Sequence, residues 1–421
     1  MTFRPSRLAH ALAVAIAWAV CLAIAIDRVE LLFIALPLLA RVMWARAGVA
    51  AEVRDFALEV EAGARAEGDA LRIGISAVIE GASGPVEILP VLPPLLAPVA
   101  SAVVLPRTDG VVRCELEPVC RSSGMLYFGA VFFRIWDRAG LWVAESRQEQ
   151  RVSVAVHPRA MAVRSLPAPR ECEAPFGQHP SRRLGDGIDF ADIRPFVPGD
   201  RMKRINWPVS LRTRQLHVNR FFAERSADVI LLLDSFGTIG ARPNSSLDWC
   251  VRAAAGLAMA YLRSHDRVGL MEFGGLLRWT KPGAGPVQYG RILESLTRVA
   301  VAPTVFLEDL AALPETMLPR HALIIALTPL HDARFERAVM RLADQGRDIV
   351  VIALRTDELS QAFLPRRARD PMLRRIWRLE REERLRALRG HGVRAVHWSP
   401  SLPIETALRA VYRPVARRRA A

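Results

Sequence analysis

The sequence predicts a mainly parallel α/β domain in the C-terminal half, preceded by an all-β sandwich and an N-terminal pair of apolar helices. Three observations predict this order. Two apolar runs open the chain, alternating apolar and polar residues fill 52–157, and apolar runs separated by amphipathic segments follow from Asp228. With 421 residues, the chain is long enough for each part to bury its own core.

The first apolar run is a transmembrane candidate. Leu8 to Ile26 carries no formal charge and would measure about 28 Å as a helix, against a hydrocarbon core of roughly 30 Å. The second run, Leu31 to Ala40, is shorter and would span only if Arg41 reached the interface and the helix continued to Ala45. The sequence therefore predicts a transmembrane helical hairpin over 1–48, in keeping with a mean hydropathy of +0.16.

Flanking charge predicts the orientation of this hairpin. The connection holds Asp27, Arg28 and Glu30, whereas arginines flank both outer ends, so the positive-inside rule places both ends in the cytoplasm. The alternative is a signal peptide, because Ala23-Ile-Ala25 is similar to a cleavage site. The predicted location is the cytoplasmic (inner) membrane, multi-pass, with the main domains in the cytoplasm.

The middle segment is predicted to be a β-sandwich. Leu71–Ile79, Val111–Leu116 and Arg151–Val156 alternate with period two, and Gly, Pro, Asp and Ser supply the turns between them. A stretch rich in Pro, Ala and Arg then predicts a linker. The predicted boundaries are hairpin 1–48, sandwich 52–158, linker 159–184, signature segment 185–226, α/β domain 227–412 and basic tail 413–421.

The α/β domain is predicted from apolar strands that alternate with helices. Its predicted strands are Val229 to Asp234, Val268 to Phe273, a short strand near Leu276 to Trp279, Ala322 to Thr328, Ile349 to Leu354 and Val393 to His397. Such strands predict a parallel sheet covered on both faces, with ligands beyond the carboxyl ends of its strands. Asp234 and Thr328 both lie at such ends.

A short motif precedes this domain. Phe196-Val-Pro-Gly-Asp-Arg-Met-Lys-Arg-Ile-Asn-Trp207 combines a turn, basic residues and a Trp, and the apolar run ending at Asp234 follows. Together they resemble the domain of unknown function 58 family, in which such a signature precedes a von Willebrand factor type A-like domain. Gly124–Gly129, Asp137–Leu141 and His157-Pro158 are similar to the end of the immunoglobulin-like sandwich in that family.

The resemblance implies a degenerate metal site. A von Willebrand factor type A domain holds a divalent metal with Asp-x-Ser-x-Ser, a Thr in a second loop and a later Asp. Here the first motif is Asp234-Ser-Phe236-Gly-Thr238, and Pro329 follows Thr328 where the later Asp is expected. Asp234, Thr238 and Thr328 remain candidate ligands, Thr280 and Asp332 are possible substitutes, and Mg²⁺ is the metal such oxygens suit.

The signature has a structural and a functional interpretation. Structurally, Pro198 and Gly199 form a turn, Asp200 caps it, Arg204 pairs with an acid, and Trp207 packs against the sheet. Functionally, the charged residues would form a docking surface. The candidate docking residues are Pro198, Gly199, Asp200, Arg201, Lys203, Arg204, Asn206 and Trp207.

Charge and cysteine usage narrow the function classes. Of the net charge of +15, +11 lies in residues 365–421, where Arg374, Arg378 and Arg381 recur at helical spacing and predict a solvated helix face. That region lacks interleaved aromatic residues, so no nucleic-acid partner is expected. The five cysteines have no metal-binding or paired spacing, which favours a reducing compartment.

The sequence holds no recognisable catalytic set, so we expect a protein-interaction module rather than an enzyme. By resemblance, it would assist assembly or maturation of protein complexes with a MoxR-type AAA+ ATPase, without a cofactor. Two alternatives stay open. One is an exported, metal-dependent adhesive protein, and the other is a binder of anionic lipid or nucleic acid through the Arg-rich C-terminal region.

Overall fold

The computed structural model divides the chain into two compact units, Met1–His157 and Pro158–Ala421. The described residues are 2–28, 30, 32–46, 52–61, 63–80, 84–98, 102–104, 110–164, 166, 184–222, 228–275, 277–302, 310, 313–360 and 371–412. The predicted basic tail at 413–421 and residues 167–183 of the predicted linker lie outside them.

The first unit combines an apolar helical hairpin with two sheets. Its elements are β1 (Thr2–Pro5), α1 (Arg7–Ile26), α2 (Leu32–Arg46), β2 (Glu52–Val60), β3 (Arg65–Ala66), β4 (Ile73–Glu80), β5 (Val86–Pro90), β6 (Ala102–Val104), β7 (Val111–Leu116), β8 (Gly124–Trp136) and β9 (Trp142–His157). One sheet has the order β1-β9-β8-β5-β6, with β3 beside β9, and the other has the order β2-β4-β7. Both sheets contribute to one apolar core.

The hairpin is fastened to the turn between β8 and β9. The carboxylate of Asp137 forms this turn by accepting hydrogen bonds from the amides of Leu141 and Trp142, at 2.6 and 2.9 Å. Strand β1 pairs antiparallel with β9, and the Ser6 hydroxyl donates to the Gly140 carbonyl at 2.7 Å. Ser6 also caps α1. The start of α1 therefore lies against the sandwich.

The second unit begins with a small module and continues into an α/β domain. Its elements are β10 (Leu184–Pro195), α3 (Trp207–Thr213), β11 (His217–Phe222), β12 (Asp228–Ser235), α4 (Ser246–Arg263), β13 (Arg267–Gly274), β14 (Leu277–Gly283), α5 (Gly285–Thr297), β15 (Leu323–Thr328), α6 (Ala333–Asp344), β16 (Asp348–Leu354), α7 (Asp357–Ser360), α8 (Pro371–Gly390), β17 (Arg394–Trp398) and α9 (Ile404–Tyr412). A 3₁₀ turn, Met202–Arg204, precedes α3. We call residues 184–222 the signature module.

The α/β domain is built on one six-stranded sheet. Its order is β14-β13-β12-β15-β16-β17, parallel throughout except that β14 is antiparallel to β13. Helices α4, α5 and α9 contribute to the apolar core on one face, and α6 and α8 to the core on the other. Because both faces are covered, the strands are continuous apolar runs rather than alternating ones.

The structure differs from the predictions made for the linker and for helix α8. The predicted linker begins too early, because Met161 donates its amide to the Arg252 carbonyl at 3.3 Å and the Arg164 amide donates to Glu405 at 2.7 Å. Residues 159–164 thus lie on the α/β domain. The predicted solvated face is wrong for Arg381, which is only 7% exposed, since its guanidinium turns under α8 toward the end of β16.

Candidate functional site

The first candidate site lies at the carboxyl edge of the sheet, between β12 and β15. These strands are parallel neighbours in register from Val229 with Leu323 to Leu233 with Leu327, so the residues that follow them meet. The Thr328 hydroxyl donates to Asp234 Oδ2 at 2.6 Å, and the Phe236 amide donates to Oδ1 at 3.1 Å. The sequence thus brought Asp234 and Thr328 to one place correctly.

The Asp234 carboxyl is shielded from water. It is 1% exposed, and burial raises its pKa to about 7. The hydrogen bonds from Thr328 and Phe236 oppose this rise, whereas the nearby charges of Asp332 and Glu336 add to it. Thr328 completes the arrangement by accepting the Leu330 amide at 2.8 Å. Both carboxyl oxygens therefore have partners within the chain.

Phe236 stands where the metal-binding motif has its first Ser, and it makes apolar contacts there. Its ring packs edge-on against Phe273, with centroids 4.9 Å apart, and the Arg334 guanidinium lies 4.4 Å from the centre of the same ring. Arg334 is held in turn by Asp332, with nitrogen–oxygen distances of 2.9 and 2.6 Å. Asp332 also caps α6. The acid that could have substituted for Pro329 is therefore already engaged.

The remaining candidate ligands do not complete a metal site. Thr238 is exposed, and its hydroxyl lies 3.4 Å from the Ser246 hydroxyl. Thr280 lies within strand β14, opposite Leu270 on β13, and not in a loop at the carboxyl edge. Across the described ranges, no three His, Cys, Asp or Glu side chains are grouped to hold a metal ion. The residues present do not fit the divalent-metal site that the family resemblance implies.

The second candidate site is the signature module. Pro198 and Gly199 form its turn, where Gly199 has a φ of +107°, a conformation that favours glycine. Asp200 caps the turn by accepting the Val197 amide at 2.8 Å. Its two carboxylate oxygens also accept from Arg194, at 2.8 and 2.6 Å. Asp200 therefore has a structural partner that the sequence motif did not indicate, although Arg194 stands in the strand entering the turn.

Asn206 fixes the short helix of the module. Its side chain accepts the Val209 amide at 3.1 Å as the N-cap of α3, and donates to Asn219 Oδ1 on β11 at 2.8 Å. Ser210, the buried residue of α3, accepts the His217 amide through its hydroxyl at 2.9 Å. Polar contacts therefore hold α3 on β11.

The predicted packing of Trp207 is wrong, because its side chain is 59% exposed. Helix α3 has seven residues and buries only Ser210, so it offers no apolar face that would cover an indole. Other large apolar residues of the module are also exposed; they are Phe190, Val197, Met202, Leu211 and Leu216. Arg201 and Lys203 are exposed beside them, and Arg204 is half-buried.

Both candidate sites lie within a segment similar to a known family. Residues 192–387 match the model of the family described as "Protein of unknown function DUF58". The chain is 25% identical over 211 residues to uncharacterized protein YeaD of Bacillus subtilis, covering 49% of this chain and 48% of the relative.

A second relative is the uncharacterized protein Rv1480 of Mycobacterium tuberculosis. It is 26% identical over 138 residues, which are 32% of this chain and 44% of the relative. The chain thus spans about half the length of the curated relatives it matches. Both relatives are named as uncharacterized, so the similarity indicates no activity.

Proposed function

We propose that this protein is a membrane-anchored, cytoplasm-facing interaction module without enzymatic activity. It assists assembly or maturation of protein complexes together with a MoxR-type AAA+ ATPase, a partner that the family resemblance implies. The proposal depends chiefly on one observation, which is that the signature module exposes large apolar side chains beside exposed basic ones.

The module's surface has the chemistry of a docking site. Trp207 and Leu211 are four residues apart on α3 and therefore share one face of the helix. They are 59% and 78% exposed, and exposed apolar groups of this size are typical of protein interfaces. Arg201 and Lys203 add positive charge, so the surface suits a partner that offers an apolar pocket with acidic residues around it.

The site between β12 and β15 supports a structural rather than a catalytic role. The pKa of Asp234 is raised toward neutrality, as a general acid or base would require. However, the carboxyl is 1% exposed and both of its oxygens are hydrogen-bonded to Thr328 and Phe236, so a substrate has no access to it. We therefore assign the Asp234–Thr328 pair a structural role, with no cofactor.

The contacts of the first unit support a membrane anchor in which the chain crosses the membrane and then crosses back to the same side. Helix α1 is long and apolar enough to cross a bilayer, and apolar residues such as Trp18 are largely exposed along it. Strand β1 precedes α1 and is hydrogen-bonded to β9 of the sandwich. If α1 crosses a membrane, the chain must cross back before β2 for the sandwich to reach its partner strand.

Helix α2 is the element available for that return. It has 15 residues, about 22 Å, and Arg41 within it donates to the Ala139 carbonyl at the sandwich turn. This length is shorter than a typical hydrocarbon core, so the return requires local thinning of the bilayer. The positive flanks then favour a cytoplasmic sandwich, and the free thiols of Cys114, Cys120 and Cys250 suit a reducing compartment.

An exported protein fits these contacts less well. Cleavage near Ala25 would remove β1, an edge strand of the larger sheet, and with it the Ser6 contacts to the sandwich turn. A metal-dependent adhesive role would also need ligands where Phe236 and Pro329 stand.

Docking is tested by capture of the MoxR-type ATPase with the full-length protein in detergent. We expect the Arg201→Glu, Lys203→Glu double variant to capture at least about tenfold less ATPase, because like-charge contacts at an interface cost several kcal/mol. Trp207→Ala should reduce capture separately. The melting temperature should stay close to that of the wild type, since exposed substitutions usually change stability within about 0.5 kcal/mol.

The matched control reverses two exposed arginines outside the module, Arg337→Glu on α6 and Arg375→Glu on α8. This control should capture the ATPase like the wild type. Equal capture by wild type, control and module variants would exclude the signature module as the docking surface.

Orientation is tested with reporters fused after Ala421. We expect a reporter that works only in the cytoplasm to be active and one that works only in the periplasm to be silent. The opposite pattern would contradict the cytoplasmic assignment, whatever the result of the docking experiment.

A further inference from the structure

A second strand-end site lies at the carboxyl ends of β16 and β17, away from the Asp234–Thr328 pair. A pocket opens there between these strands and α8. Arg355 follows β16, His397 is near the end of β17, and Trp377 and Arg381 come from α8. In sheets of this kind, the carboxyl ends of the strands are where ligands bind.

Arg381 is a buried cation held by neutral groups. It is 7% exposed, and its guanidinium donates to the Thr356 hydroxyl at 2.5 Å and to the Leu354 carbonyl. In the part of the chain that the structure describes, no carboxylate lies within ion-pair distance of it. Burial lowers the pKa of Arg381 to about 10, which reflects the cost of placing this charge away from water.

The acids at the pocket are engaged with other arginines. Asp357 lies 3.3 Å from Arg378, and Glu382 lies 3.4 Å from Arg386. The charge of Asp357 raises the pKa of Arg381 and so offsets part of the burial cost, but Asp357 forms its ion pair with Arg378 and not with Arg381. Arg355 adds a second positive charge, and the charge of each lowers the pKa of His397 further.

His397 provides a buried polar atom without a partner. Its Nδ1 is inaccessible to water and has no hydrogen bond among the described residues. Burial, followed by the charges of Arg381, Arg355 and Arg389, lowers the pKa of His397 to about 4. The imidazole is therefore neutral at pH 7, so it adds no positive charge beside Arg381 and Arg355.

We propose that this pocket binds an oxyanion, a phosphate or carboxylate group of a small ligand. Arg381 and Arg355 supply charge-assisted hydrogen bonds, which are the strong kind for such groups. The neutral His397 imidazole and the indole of Trp377 also line the pocket. An oxyanion would balance the buried charge of Arg381. This site is independent of the docking surface on the signature module.

The test is a thermal melt of the full-length protein in detergent. It is titrated with sodium phosphate or sodium acetate against sodium chloride at equal ionic strength. We expect a saturable rise in melting temperature, because a ligand that binds only the folded state stabilises it. The oxyanion that saturates at lower concentration identifies whether the natural ligand presents phosphate or carboxylate.

Two pocket variants and one control complete the experiment. Arg355→Ala removes an exposed charge, and Arg381→Lys keeps a charge but loses the forked donor; each should weaken apparent affinity roughly tenfold, as expected for a charged hydrogen bond. Arg375→Ala, exposed on the same helix, should respond like the wild type. General stabilisation by phosphate through exclusion from the surface does not saturate and is the same in all variants. No saturable rise in the wild type, or an unchanged rise in both pocket variants, would overturn the proposal.

Discussion

Asp234 and Arg381 are both buried, ionisable residues at the carboxyl edge of one sheet, but their surroundings differ. At β12 and β15, the Thr328 hydroxyl and the Phe236 amide occupy both oxygens of Asp234. At β16 and β17, the Thr356 hydroxyl and the Leu354 carbonyl accept from Arg381 without balancing its charge. The first site is complete within the chain, whereas the second leaves a net positive charge.

Whether the chain itself satisfies the buried ionisable group distinguishes a structural site from a binding site better than its position in the sheet does. Both sites lie where open α/β sheets bind ligands. The site of Asp234, whose pKa is raised, is closed, because the Thr328 hydroxyl and the Phe236 amide occupy the carboxyl oxygens that a ligand would have to contact. The site with the buried cation gains more from an added anion, since an uncompensated buried charge is costly.

The largest expected effect follows from opening the closed site. Thr328→Val keeps the shape of the side chain and removes the hydroxyl that donates to Asp234 and accepts from Leu330. We expect a loss of about 2–4 kcal/mol in the free energy of unfolding, because a buried carboxyl and a buried amide each lose a partner. Chemical denaturation of the full-length protein measures this loss.

The matched control for this variant is Thr328→Ser, which retains the hydroxyl. It should lose less than half as much stability as the Val variant. Equal losses would mean that the methyl group, rather than the hydrogen bonds, accounts for the effect, and the description of a site closed by hydrogen bonds would then be wrong.

The sequence predicted the closed site more fully than the pocket for a physical reason. Parallel register follows from consecutive apolar strands, so it brings Asp234 and Thr328 together without further information. The role of Arg381 depends on how α8 rests on β16 and β17. On the helix, Arg381 has the same spacing as solvated arginines, and nothing local distinguishes it.

In the signature module, too, the sequence predicted the local contacts but not those that depend on how elements pack. Turn chemistry predicted the Pro198-Gly199 turn and its Asp200 cap, because these depend on a few neighbouring residues. The position of Trp207 depends on what covers α3, and composition alone predicted burial for a side chain that is 59% exposed. The ion pair of Asp200 with Arg194 likewise needed the geometry of β10.

A smaller effect should appear in the pH dependence of stability, through the titration of Asp234. Because burial raises the pKa of Asp234 to about 7, from an ordinary value of about 4, the folded protein keeps a proton between these values that the unfolded chain has released. Stability from this group is therefore fully present below about pH 4 and is lost as the pH rises toward 7. Asp234→Asn lacks this titration and keeps an acceptor for Phe236. We therefore compare the melting temperature of Asp234→Asn minus that of the wild type. This difference should be more positive at pH 8 than at pH 5, by roughly 5 °C.

The same melts, repeated with millimolar Mg²⁺, test whether the site is closed to metal as well. With Phe236 and Pro329 in ligand positions, we expect Mg²⁺ to move the wild-type melting temperature by less than about 1 °C, since a metal bound only to the folded state would stabilise it. In the pH experiment without Mg²⁺, an equal melting-temperature difference between the wild type and Asp234→Asn at pH 5 and pH 8 would mean that the titrating group is not Asp234. A clear rise with Mg²⁺ that Asp234→Asn abolishes would show that the Asp234–Thr328 site is open, and the contrast with the pocket at Arg381 would then fail.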